Sequence, residues 1–193
     1  MRILAPSVFI DVGAHAGYYT ILAHKLGAQK IIAIEPDIRV SRVLTRAIEV
    51  NKLNNIMVIN RAAWDESGIM LKLNLSSVSG YSSLFPYDSK KAYYMDSTTQ
   101  VKSITLDDVS RKLDRIDLIK VDVEGAEFNV LRGAFETINR FKPLILFEAT
   151  LNKEDIFNFL ISRGYKCLGP LSWGKNYLAV PDDESISKLH ISI

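Results

Sequence analysis

The twelve residues from Val8 to Tyr19, V-F-I-D-V-G-A-H-A-G-Y-Y, constrain the fold more than any other stretch. Val8, Phe9, Ile10 and Val12 make a short apolar run of β-branched and aromatic type, the composition of a strand buried on both faces. Gly13 and Gly17 bracket a tight turn. From Tyr18 onward, Ile21, Leu22, Lys25 and Leu26 recur at helical spacing and predict a helix with an apolar face. A strand that passes through a glycine-bearing turn into a helix is the opening of a nucleotide-binding α/β sheet. Glycine reaches backbone angles other residues avoid and lets a ligand lie against the main chain.

Two residues set this turn apart from a dinucleotide fingerprint: His15 stands where a middle glycine would be, and Asp11 closes the strand. A carboxylate here repels a pyrophosphate, whereas a ligand carrying an ammonium and a sulfonium is attracted to it. S-adenosylmethionine is such a ligand. The competing reading makes Asp11 a helix cap and the glycines a plain turn. A second acid narrows the choice. Lys30 to Ile34 form another apolar strand, which runs into Glu35-Pro36 about 18 residues beyond Gly17. A carboxylate only accepts hydrogen bonds, so an acid at the end of a second strand can take both ribose hydroxyls of an adenosine.

The chain has 193 residues and no Pro/Gly/Ser-rich linker, so one domain spanning 1–193 is expected. Its net charge of +2 gives no electrostatic case for nucleic acid or an anionic membrane. Cys167 is the one cysteine, which excludes an intrachain disulfide or a cysteine zinc cluster and fits a reducing cytoplasm. Asp11 interrupts what would otherwise be a signal-peptide core, and no later run is long and apolar enough to insert into a bilayer.

Further along, Val43, Leu44, Ala47, Ile48 and Val50 predict a surface helix over 41–51, with Arg39, Arg42, Arg46 and Lys52 on its other side. Ile56 to Ile59 is a third strand. The turn after it, 60–65, offers a small residue, Ala62, beside which adenine can rest, with Trp64 or Asp65 to stack on the ring or accept from its amino group; Trp64 as a core anchor is the alternative. Gly68 to Leu75 alternates as a strand, and Val101 to Leu106 returns beside it. Residues 76–99 lack a sustained period and read as a long loop, in which Tyr81, Ser82, Ser83 and Phe85 offer hydroxyls and ring faces to a substrate.

Leu106 to Leu113 is a short amphipathic segment. Asp117 to Val121 is a fourth strand that ends in D-V-E-G-A-E, from which a helix runs through Phe128, Val130, Leu131 and Ala134. Glu127 fits the acid preference of a helix start. Asp122 and Glu124 precede the helix at a strand end, where an open parallel sheet forms its ligand crevice. Pro143 to Phe147, a fifth strand, ends in another acid, Glu148. A helix over Glu154 to Arg163 stops at Gly164, and Tyr165 to Leu168 and Asn176 to Val180 form a terminal hairpin. The alternation implies an α/β fold, a mainly parallel sheet with an antiparallel edge.

The strings I-D-V-G-A-H-A-G-Y-Y-T, I-E-P, I-K-V-D-V-E-G-A-E and L-F-E-A resemble the FkbM family of S-adenosylmethionine-dependent methyltransferases, over a span from Val8 to about Val180. The resemblance implies a Rossmann-like class I methyltransferase sheet of seven strands and transfer of a methyl group to oxygen. It implies cofactor contacts at Asp11, Gly13, Gly17, Glu35 and Asp122. With the neighbouring turn residues, the expected cofactor set is Asp11, Gly13, Ala14, His15, Gly17, Tyr18, Glu35, Pro36, Ala62 and Asp122. His15 stands where the family more often has asparagine. Family members also carry more chain before the first strand, so cover for the cofactor is expected from the 76–99 loop or from another subunit.

Methyl transfer from a sulfonium is an in-line displacement in which positioning dominates, and an alcohol acceptor must also lose its proton. Glu124, Asp122 and Glu148 are the candidate catalytic acids, His15 a weaker fourth; Glu124 is assigned to the acceptor and Asp122 to the cofactor. Asp122 and Glu148 could instead hold Mg²⁺, a route not favoured here. The expected acceptor is a small molecule, glycan or lipid with a hydroxyl. Two other classes stay open: a nicotinamide-dependent oxidoreductase, which Asp11 disfavours, and a non-catalytic S-adenosylmethionine-binding module.

Overall fold

The computed structural model describes residues 6–76, 82–85, 95–149, 151–171 and 174–182. Tyr81, singled out from the sequence, lies outside these residues. In chain order the elements are β1 (Val8–Val12), α1 (Tyr18–Lys25), β2 (Lys30–Ile34), α2 (Ile38–Val50), β3 (Ile56–Ile59), β4 (Ala62–Ala63), β5 (Met70–Ser76), β6 (Met95–Ile104), α3 (Leu106–Ser110), β7 (Leu118–Val121), α4 (Glu127–Arg132), α5 (Phe135–Phe141), β8 (Leu144–Glu148), α6 (Lys153–Ile161), β9 (Tyr165–Leu168) and β10 (Asn176–Pro181).

Seven strands form the main sheet in the order β3-β2-β1-β7-β8-β10-β9. The pairs from β3 to β8 are parallel, and β10 runs antiparallel to both β8 and β9. The expected sheet, mainly parallel with an antiparallel edge, is the one observed. A smaller sheet, β4-β6-β5, stands beside it. Strand β1 is buried at every position because sheet neighbours and packed helices enclose it. The core joins Ile10, Val12, Ile34, Val121, Ile145 and Phe147 of the strands to Val130, Leu131, Ile156 and Leu160 of the helices. Each such side chain contributes about 1.5–3 kcal/mol when fully buried. Cys167 is half-buried against this core, and burial pushes its thiol up to about 11, so it is an unreactive packing residue. Among the described residues no helix is long and apolar enough to cross a membrane.

Four sequence expectations change. Helix α1 buries Thr20 and Ala23, while Tyr18, Leu22 and Leu26 face outward, Tyr18 at 75% exposure. The helix presents its small face to the sheet because Thr20 is needed there, as described below. Helix α2 likewise buries Ser41 and Leu44 and leaves Val43 and Val50 exposed. Residues 95–99, expected in the loop, belong to β6, where pairing with β5 supplies the order that local pattern does not show. The helix after β7 breaks at Gly133 into α4 and α5. Glycine at the break lets the chain pass close to Trp64, since a methyl group on Gly133 would lie 2.0 Å from the Trp64 carbonyl oxygen. The Asp107 carboxylate then accepts the N–H groups of Glu136 and Thr137 and starts α5.

Candidate active site

Strand order reverses between β1 and β7, and a ligand crevice forms where neighbouring connections diverge in this way. A cavity of about 320 Å³ opens there. Its walls include Gly13, Ala14, His15, Tyr18 and Tyr19 after β1, Glu35 to Asp37 after β2, Ala62 and Ala63, Ser82 to Leu84, and Lys120 with Asp122 to Glu124 at the end of β7.

The floor is the turn after β1. The N–H groups of Gly13 and Ala14 both donate to the Ile34 carbonyl, at 2.9 and 3.1 Å, which folds the turn back over β2. Gly13 has φ +73°, and a methyl group on it would sit 1.8 Å from the Asp122 carbonyl oxygen, so only glycine lets the β1 and β7 loops approach this closely. The next residues bring Glu35 into the wall. Its Oε2 accepts the His15 N–H and its Oε1 the Asp37 N–H, each at 2.9 Å. Burial outweighs these two bonds and pushes the carboxyl up to about 7. Each oxygen retains a lone pair for a further donor.

Asp11 and Gly17 do not line the cavity. Asp11 is fully buried beneath the turn, where its Oδ2 accepts the Thr20 hydroxyl at 2.6 Å and its Oδ1 lies 3.3 Å from Lys120 Nζ. Its charge is therefore met by the protein rather than presented to a ligand. Gly17 starts α1 in a left-handed conformation, and a methyl group there would fall 2.3 Å from Leu44 Cδ1; its task is packing. The other expected cofactor residues, Gly13, Ala14, His15, Tyr18, Glu35, Pro36, Ala62 and Asp122, all line the cavity. Trp64 and Asp65 do not. The Trp64 ring packs on Phe85 and its main-chain N–H donates to the Ile104 carbonyl, and the Asp65 carboxylate meets Arg132 and Asn129.

Asp122, Glu124 and Glu148 come together, with one oxygen from each within 4.8 Å of the others. Asp122 and Glu124 face the cavity; Glu148 adjoins them without lining it. Glu127 departs from a simple helix-start role. It is fully buried, its Oε1 accepts the N–H groups of Val123 and Gly125 at 3.2 and 3.1 Å, and burial pushes it up to about 7. Across the cavity, the Ser82 hydroxyl donates to Asp37 and the Ser83 hydroxyl to the Glu124 carbonyl, at 3.1 and 2.8 Å.

Sequence reasoning passed over Lys120. It is buried, donates to the Gly13 carbonyl at 3.0 Å, lies 3.4 Å from Asp122, and stands over the Tyr19 ring. The signal was present as a single charge in each of two apolar strands, Asp11 in V-F-I-D-V and Lys120 in L-I-K-V. Parallel pairing of β1 with β7 sets the two residues side by side.

Residues 11–167 match the model of the methyltransferase FkbM domain, a span that takes in every cavity wall named above. The chain belongs to the FkbM methyltransferase family. Methyltransferase sdnD of Sordaria araneosa is 28% identical over 155 residues, which cover 66% of this chain and 60% of the relative. Methyltransferase 1 of Beauveria bassiana is 26% identical over 152 residues, covering 66% and 58%. The chain thus spans somewhat under two thirds of the length of these curated relatives. The crystal structure of methyltransferase FkbM from Methylobacillus flagellatus superposes with a TM-score of 0.63 at 21% identity, covering 89% of this chain and 42% of the other, and shows a shared fold.

Proposed function

We propose that this domain binds S-adenosylmethionine in the cavity and transfers its methyl group to a hydroxyl oxygen of a small-molecule, glycan or lipid acceptor. The observation that carries the reading is one cavity with Glu35 in one wall and the Asp122–Glu124 turn in another, at the switch point of the sheet. The residues present fit an adenosyl ligand. Glu35 offers two anchored oxygens with spare lone pairs to a ribose diol, Ala62 provides a small apolar wall for a base, and the turn at Gly13, whose own N–H and carbonyl are taken up by Ile34 and Lys120, forms the floor. When bound, the cofactor supplies an electrophilic methyl group on a sulfonium.

The protein's own work is then to hold an acceptor oxygen in line and to take its proton. The Glu124 carboxylate accepts that proton from the acceptor hydroxyl, while Asp122, beside Lys120, serves the cofactor side. The proximity of Asp122, Glu124 and Glu148 favours one second reading, in which a divalent cation held by them lowers the acceptor's pKa instead.

A paired measurement tests the assignment: cofactor affinity by calorimetry, and S-adenosylhomocysteine release with an accepted hydroxyl compound, for Glu124→Gln and Asp122→Asn. Glu124→Gln should reduce turnover about 10²–10⁴-fold with affinity nearly unchanged, since general-base assistance is of that size. Asp122→Asn should weaken affinity as well. Equal loss of affinity in both variants refutes the division, and turnover abolished by a chelator moves the base's task to a metal.

A further inference from the structure

Glu124 is the centre of an unusual turn. Its φ is +54°, a left-handed conformation that a residue with a Cβ keeps only where its surroundings hold it there. Gly125 follows at φ +106°, and together they lift the chain from the end of β7 before α4 begins. Two side chains from different parts of the sequence grip this turn. From below, Glu127 Oε1 accepts the N–H groups on either side of Glu124, those of Val123 and Gly125. From across the cavity, the Ser83 hydroxyl donates to the Glu124 carbonyl at 2.8 Å.

Ser83 is itself fixed on all sides. It is 2% exposed, and its main chain forms an antiparallel bridge with Asn74 of β5, N–H to carbonyl in both directions at 2.9 and 3.0 Å. The Asn74 side chain adds a bond to the Ser83 carbonyl, and the Phe85 N–H donates to the Ser83 hydroxyl oxygen at 3.1 Å, which turns the hydroxyl hydrogen toward Glu124. The residue before it, Ser82, donates to Asp37 Oδ2. Consecutive serines thus tie the wall that contains Glu35 and Asp37 to the wall that contains Glu124, anchored to a strand of the smaller sheet.

We propose that Ser83 is a positioning residue for Glu124: by clamping the Glu124 carbonyl while Glu127 holds the flanking N–H groups, it fixes the left-handed turn from which the Glu124 side chain reaches an acceptor. This inference rests on the reading of Glu124 given above. The hydroxyl ends on the main chain of a residue held in a left-handed conformation, a bond that packing alone does not require. Its removal also releases the Phe85 N–H, but the segment stays on β5, because the main-chain bridge, the side-chain bonds from Asn74 and the Ser82 bond to Asp37 do not involve the Ser83 hydroxyl.

Two arms on the full chain test this. In the first, which needs no acceptor, amide hydrogen exchange is followed at Val123 and Gly125 and, as a reference, at Ile10 and Val121. Ser83→Ala should speed exchange at Val123 and Gly125 by about tenfold or more with the reference amides unchanged, and Ser83→Thr, which keeps the hydroxyl, should restore protection. Unchanged exchange at the turn overturns the inference, as does an equal rise at all four amides, which would mark a general loss of stability. In the second arm S-adenosylhomocysteine release is measured with methyl glucoside, a phenol and a hydroxy fatty acid as acceptors. Ser83→Ala should lower turnover about tenfold with calorimetric affinity for S-adenosylhomocysteine unchanged, and should cost nothing further in a Glu124→Gln background. Full additivity in the double variant overturns the inference while leaving Glu124 in its role. Undiminished turnover in Glu124→Gln alone removes that role and is seen separately. If none of the three compounds is methylated, the exchange arm decides. Should alanine at 83 prevent folding, Ser83→Cys, similar in volume and a weaker donor, is put through the same measurements.

Discussion

Lys120 Nζ lies 3.3 Å from Asp11 Oδ1, the lysine buried in the cavity wall and the aspartate fully enclosed beneath the turn that forms its floor. The lysine spends a hydrogen bond on the Gly13 carbonyl, so the pair ties β1 and its turn to β7. Removing Lys120 leaves Asp11 fully buried with no cationic partner and the Thr20 hydroxyl alone, whereas Lys120 without Asp11 keeps Asp122 at 3.4 Å. Lys120→Met should therefore destabilise the protein by about 3–5 kcal/mol, and combining it with Asp11→Asn should recover a large part of the loss. Urea unfolding of the single and double variants measures both. A loss below about 1 kcal/mol in Lys120→Met would mean that Asp11 rests on the Thr20 hydroxyl alone.

Glu35 gives the proposed cofactor affinity a direction with pH. Its carboxyl titrates near 7 in the free cavity because burial opposes the charge. Two ribose hydroxyls favour the ionised form, so its pKa falls in the complex. Affinity should be highest above pH 7 and decline toward tenfold per pH unit below it, until the lowered pKa of the complex is reached. Titrating S-adenosylhomocysteine at pH 5.5, 6.5 and 8 checks this, and Glu35→Gln should flatten the profile.

Glu127 has the opposite bearing on stability. Its folded pKa is about 7 against 4.5 for an ordinary glutamate, so the folded state holds this proton more tightly than the unfolded state does. Its stabilising contribution is fully present below about pH 4.5 and is lost as pH rises to about 7, by an amount on the order of 3 kcal/mol. Glu127→Gln keeps an acceptor for the Val123 and Gly125 N–H groups and removes the titration. Thermal unfolding from pH 4 to 8 should therefore show a smaller decline in the variant than in the parent.

The main sheet was legible because its signal is local: buried parallel strands are short apolar runs, and β1, β2, β3, β7 and β8 each ended where an acid or a turn residue took over. The cavity residues on the turn after β1 and at Glu35 were legible for the same reason. Helix faces were not. Small residues, Thr20 and Ala23 on α1 and Ser41 on α2, meet the sheet, and hydrophobicity assigns the large residues there instead. The buried partners of Asp11, the left-handed turn at Glu124 and the bridge from Ser83 to Asn74 all depend on residues far apart in sequence. Only the register of the strands brings them together.

Gly13→Ala should be among the most damaging small substitutions in the chain. The added methyl meets the Asp122 carbonyl at 1.8 Å, so the β1 and β7 loops must part, and φ +73° strains any residue with a Cβ. The variant should lose cofactor affinity and at least about 1 kcal/mol of stability, whereas Gly164→Ala, with open space around its position, should lose only stability. Calorimetry and urea unfolding of the two variants separate the effects.

The most direct test of the account is titration calorimetry of the parent chain and Glu35→Ala with S-adenosylhomocysteine and with NAD. One S-adenosylhomocysteine site per chain, tighter than any NAD binding, is expected. So is a loss of about 1.5–3 kcal/mol, roughly 10- to 150-fold, in a folded Glu35→Ala variant, the size expected for hydrogen bonds to a charged acceptor. Tighter binding of NAD, or an unchanged dissociation constant for S-adenosylhomocysteine in Glu35→Ala, would contradict the account.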